Sequence, residues 1–189
     1  MKITEQYEKC WKFFCESKWH IVASLAIFAL TFLIGFIYPM FYREEIFKFI
    51  TELMLSLEGL GTLELVWFIF LNNLQASFFA IIFGVFIGIF PLVMGITNGY
   101  LLGFVSREAV GVGGIFVLWR LVPHGIFELP AVIFSIGIGL KLGLDLFGND
   151  KKKTLKHNFV EGLRFFVFVV LPLLLIAGII EGILVGLIG

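Results

Sequence analysis

Charge is what this chain has least of: only 15% of its 189 residues are Asp, Glu, Lys or Arg, while 60% are hydrophobic. A soluble domain of this size has too little interior to hide so much apolar surface. No charged residue occurs from Ile21 to Tyr42 or from Leu65 to Ser106, and about 18 such residues can cross a bilayer as a helix. The apolar–polar alternation of a membrane β-barrel is missing as well. Helices are the other way to satisfy backbone groups in lipid. The expected fold class is therefore all-α, a multi-pass transmembrane bundle of about five spans.

The residues of metal, redox and hydrolytic chemistry are also scarce. The two cysteines, Cys10 and Cys15, make no CxxC pair and no metal-spaced cluster. Two unpaired thiols beside a membrane surface are the plain reading, and lipidation is the alternative. A zinc protease would carry HExxH, whereas "HGIFE" supplies one His and one Glu. Ser77, Ser106 and Ser135 stand in no nucleophile-type context. No small-residue cleavage site follows the first apolar run, so that span is expected to be retained. Formal net charge is zero, and nothing suggests a nucleic-acid surface. The expectation is a protein with no enzymatic activity, no cofactor and no metal, whose first partner is the lipid bilayer.

Residues 1–19 place Tyr7, Trp11, Phe14 and Trp19 beside Lys9, Lys12 and Lys18, the mixture that favours the headgroup region. They read as an amphipathic cytoplasmic arm. Residues 20–189 read as a single transmembrane domain, with spans at about 20–42, 65–89, 91–106, 112–145 and 165–189. Between Arg43 and Glu64, five glutamates (Glu44, Glu45, Glu52, Glu58 and Glu64) outnumber Arg43 and Lys48. Ile46, Phe49, Ile50, Leu53, Leu57 and Leu60 recur there at helical spacing, which describes a helix lying on the membrane and ended by Gly59 and Gly61. A turn is expected at Arg107 and Glu108.

The region 112–145 is too long and too punctuated for one regular helix. Pro123 disfavours helix at Val122, and Pro130 removes another backbone bond. A short or re-entrant helix ending near Leu121 is expected, then a spanning helix from Pro123 through Gly125 to Leu144, kinked near Pro130. Lys151, Lys152, Lys153, Lys156 and Arg164 mark the loop before the last span as cytoplasmic, and the lysine-bearing N-terminus shares that side. The C-terminus is expected outside. No inverted pair of halves is evident, which counts against a transporter built from two repeats.

Small residues recur every four positions: Gly84 and Gly88; Gly95, Gly99 and Gly103; Ser135, Gly139 and Gly143; Gly178, Gly182 and Gly186. In lipid such rows let backbones approach and give the dispersion contacts that drive association. A tight bundle follows, with a homodimer or other membrane proteins as expected partners.

Inside "WRLVPHGIFELPAVIFSIGIGL", Arg120, His124 and Glu128 stand four residues apart in otherwise apolar sequence. An ionised carboxylate at the bilayer centre costs about 2.5–3.5 kcal/mol, so Glu128 and the similarly placed Glu181 must be neutral, paired or wet. His124 and Glu128 share a helix face, while Pro123 sets Arg120 in a different segment. Asn72, Asn73 and Asn98 would complete a polar core by bridging helices. Three readings stay open: polar glue for a broken helix, an ion or small-solute site at His124 and Glu128, and an intramembrane hydrolase.

Three stretches carry a family resemblance: "FLNNLQASFFAIIFGVFIGIFP", "NGYLLG" and "PHGIFELPAVIFSIGIGLKLG". Over Phe70 to Gly143 the chain resembles the stage II sporulation protein M family. The resemblance implies an integral membrane protein of about five spans, with Asn72, Asn73, Asn98, Gly99, Pro123, His124, Gly125, Glu128 and Pro130 at the family's motif positions. In endospore formers it implies a role in membrane migration during engulfment, as a scaffold for two peptidoglycan-degrading proteins. Relatives also occur in bacteria and archaea that form no spores, and the resemblance supplies no reaction.

Overall fold

Helix is the only regular structure that the charge-free runs adopt among the described residues. A computed structural model describes residues 2–147 and 151–188; the side chains of 120–124, 151–153, 181–182 and 184–188 lie outside that description. Five helices are long and apolar enough to cross a membrane: Ile3–Ile37, Thr62–Val85, Ile89–Gly113, Gly125–Asp145 and Thr154–Ile180.

The first, α1 (Ile3–Ile37), runs unbroken through 35 residues. The boundary expected at residue 19 between arm and span is absent from the backbone. Its buried residues are Gln6, Cys10, Phe13, Ser17, Ile21, Ser24, Phe28 and Gly35. Their steps of three, four and seven make one seam along the helix, so the arm continues the face that packs the span. Val22, Leu25, Leu30 and Leu33 on the other sides are exposed, as lipid-facing residues are.

Helix α2 (Arg43–Leu57) has no buried residue. It is held by the ion pair of Arg43 with Glu108 (3.2 Å) and by the edge of Phe47 against Phe104. Next, α3 (Thr62–Ile82) is capped by Glu64 Oε2, which accepts the Gly61 N–H at 2.9 Å, and tightens into a 3-10 turn at Phe83–Val85. The chain then reverses through Ile87 and Gly88, both at positive φ.

Helix α4 (Ile89–Gly113) passes straight through Arg107 and Glu108, so the turn expected there moves downstream. Charged residues at a helix end do not break a helix. Gly114 does, with φ 74 and its N–H closing on the Val110 carbonyl at 2.9 Å. The segment expected as a short or re-entrant helix is a 3-10 helix at Ile115–Leu121, about 14 Å long and unable to span. Helix α5 (Val122–Asp145) makes the single crossing of this region. Pro123 lies in its first turn, where a missing N–H costs nothing, and Pro130 sits inside it.

The basic stretch expected as a loop is helical. Helix α6 (Lys151–Phe165) continues through a π-helical segment, Phe166–Val170, into α7 (Leu171–Ile188). Pro172 has no N–H to offer the Phe168 carbonyl. One residue earlier, the Leu171 N–H reaches Phe166 O, the five-residue step of a π-bulge.

Helix α5 is the central element, in contact with α1, α3, α4 and α7. Glycines permit these approaches. A Cβ on Gly84 would stand 2.5 Å from the Gly139 Cα, and Gly143 faces the Ile87–Gly88 turn. Gly99 and Gly103 meet the Phe28 and Phe32 carbonyls of α1, while Gly95 faces Ile136 and Gly178 faces Phe70. Gly182 and Gly186 fall outside the described side chains.

Candidate functional site

Two groups of polar side chains lie within the bundle, toward opposite ends of α5. The first is built on Glu128, in the second turn of that helix. Its Oε2 is buried, and with Asn73 of α3 it borders a cavity of about 10 Å³ closed by Ile69, Phe70, Leu174, Ala177 and Gly178. That volume admits at most about one water. His124 lies one turn earlier on the same helix and Arg120 in the preceding 3-10 segment; their side chains lie outside those described, as does that of Glu181.

Of the three asparagines expected in one core, the structure brings only Asn73 to Glu128. Asn72 is exposed, because adjacent residues on a helix point about 100° apart and one of the two must face away. Asn98 is also exposed, and its Nδ2 donates to the Met94 carbonyl of its own helix at 2.8 Å. It bridges nothing. Ser135 likewise donates to its own helix, at Ala131 O. Among the described residues, no three His, Cys, Asp or Glu side chains converge.

The second group was missed by sequence reasoning. Lys141, near the other end of α5, is 7% exposed. Its Nζ donates to Ser17 Oγ at 3.1 Å and stands 4.4 Å from the centroid of the Phe13 ring. Both partners belong to α1. Among the described residues, no carboxylate lies within ion-pair distance of this ammonium. One turn further, Asp145 Oδ2 accepts from Asn158 Nδ2 of α6 at 2.7 Å, and Arg164 pairs with Glu161. His20 Nδ1 and Gln6 Nε2 are buried in α1 with no hydrogen-bond partner among the described residues. One signal was available: Lys141 is the sole Lys or Arg between Arg120 and Lys151.

Higher on the same interface, Ser24 shares its hydroxyl proton between Ile21 O of its own helix (2.8 Å) and Ile133 O of α5 (2.9 Å). Chemically, this second group does one thing well. It ties the N-terminal half of α1 to α5 through a cation held by a hydroxyl and by the negative face of a ring.

Long apolar helices joined by buried polar contacts define a multi-pass helical membrane protein. Residues 21–185 match the family model of stage II sporulation protein M, and the chain belongs to that family. An uncharacterised protein of Methanocaldococcus jannaschii is 28% identical over 143 residues, which cover 71% of this chain and 62% of that protein. The chain thus spans less than two thirds of the length of this curated relative. No solved structure matches it. The family match takes in Glu128, Asn73 and Lys141 but begins after Ser17 and Phe13, so both partners of the buried lysine lie outside it.

Proposed function

We propose that the protein is a non-enzymatic membrane scaffold, in which the Glu128 group fixes the bundle and other faces engage membrane proteins or a second copy. The observation that carries this reading is the size of the space beside Glu128, about 10 Å³. A transported solute or a substrate needs a site of some hundreds of Å³, whereas a structural contact needs none. Gly84, Gly95, Gly99, Gly103, Gly139 and Gly143 meet other elements of the same chain. A second copy would therefore bind through another face, such as the exposed side of α1.

The N-terminus is cytoplasmic and the C-terminus outside in this proposal, from the lysines near residues 2–18 and 151–156 and an odd number of crossings. Purified Glu128→Gln protein should melt earlier than the parent in detergent, by an amount in keeping with about 1–3 kcal/mol for a disturbed buried polar contact, and His124→Ala protein should melt earlier too. Unchanged melting together with abolished solute flux in liposomes would sink the scaffold and favour transport.

A further inference from the structure

A groove of about 540 Å³ runs between α1 and α4 beneath α2, within the roughly 300–1,000 Å³ range of sites that enclose small ligands. Ile34, Ile96 and Leu101 form its walls, and Ile46 and Phe49 its roof. The hydroxyls of Thr31, Thr97 and Tyr100 along it are already engaged. Thr31 donates to Ile27 O and Thr97 to Val93 O, each at 2.9 Å. Tyr100 donates to the Phe41 carbonyl at 3.0 Å and accepts the Phe41 N–H at 3.1 Å. Apart from the exposed Tyr42 and Glu45, what remains for an occupant is carbon.

The position of the groove says where that occupant comes from. Trp19 on α1 and Tyr38 at its C-cap, both exposed aromatic residues, are separated by about 28 Å of helix, close to the thickness of a hydrocarbon core. Thr31 and Ile34 therefore lie within one leaflet, just under the surface marked by Tyr38. Leu33 and Ile37 on α1 and Val93 on α4 are exposed nearby, so the surroundings of the groove are lipid-facing.

The groove has one charged lining residue. Glu45 stands on α2 with no hydrogen bond or ion pair among the described residues, because Arg43 is engaged with Glu108 and Lys48 with Glu52. An anionic headgroup would be repelled there and an amine attracted. The roof is also loosely attached: α2 has no fully buried residue, and it joins α1 through Tyr42, whose φ of 53 is a left-handed conformation that a tyrosine rarely adopts.

We propose that this groove holds the apolar tail of a bilayer lipid whose amine-bearing headgroup rests against Glu45. The full chain, reconstituted in vesicles of equal phosphatidylethanolamine and phosphatidylglycerol and released into mild detergent, is the sample. Retained lipid is read by native mass spectrometry. The expected result is phosphatidylethanolamine enriched over its share in the vesicle. Glu45→Lys, an exposed change, should reverse the preference toward phosphatidylglycerol, and Thr97→Trp, which fills the groove, should abolish retention. Should Thr97→Trp fail to fold, the Glu45→Lys reversal decides alone. Retention without headgroup preference, or unchanged by Glu45→Lys, overturns the proposal. So does efficient disulfide capture of two chains through Thr97→Cys, which would make a second copy the occupant.

Discussion

Lys141 shows how a single residue can escape a sequence. Its partner Ser17 lies 124 positions away, so no spacing rule connects them, and in the sequence the lysine is only a pause in a glycine row. Glu128 was legible because a carboxylate in apolar surroundings must be accommodated somehow. Which asparagine accommodates it was not legible, since facing is set by packing. A buried ammonium with no carboxylate in ion-pair contact among the described residues carries a large desolvation cost. Lys141→Met should therefore keep or raise the melting temperature, whereas Ser17→Ala, which strands the charge, should lower stability by about 1–3 kcal/mol. A melt in which Lys141→Met falls as far as Ser17→Ala would mean that the charge itself is needed. The thiols give a second check at this scale: Cys10 is 3% exposed and Cys15 is exposed. Maleimide should label Cys15→Ser protein slowly and Cys10→Ser protein fast, and denaturant should erase the difference.

At the scale of elements, apolar run length revealed the number and order of the spans, but their ends moved. Composition changes at residue 19 and at Arg107, yet the buried seam of α1 and the body of α4 ignore both changes. Hydrogen-bond geometry ends a helix, and polarity only shifts where it sits in the membrane. Glycine roles separate the same way. At Gly139 a Cβ would strike the Ala80 carbonyl and stand 2.9 Å from Pro91, whereas Gly111 has nothing within 4 Å. Gly139→Ala should destabilise by about 1–3 kcal/mol, the usual cost of overpacking. Gly111→Ala, in the same kind of helix, should stabilise by about 0.5–1 kcal/mol. Opposite signs in one melting experiment are the expected outcome, and a loss at both positions would contradict the packing described.

For the molecule as a whole, the proposed topology, with five crossings, would place the two ends on opposite sides of the membrane. Reporters fused at the two termini should therefore be reachable from opposite compartments in sealed vesicles. Finding both on one side would require one of the long helices to lie outside the membrane. Fold class was readable from the charge-free runs and family from three stretches of sequence. The second polar group was not, because it forms only when the first and fifth α-helices close on each other.

The extra residue carried by the Phe166–Val170 turn sets the phase of everything after it. A helix advances about 100° per residue, so the face that α6 turns toward the arm and the face that α7 turns toward α3 are indexed by a single count. Removing one residue there would leave composition, hydropathy and length of span nearly untouched. It would still rotate the last crossing by more than a quarter turn, carrying Leu174 and Gly178 away from the cavity beside Glu128.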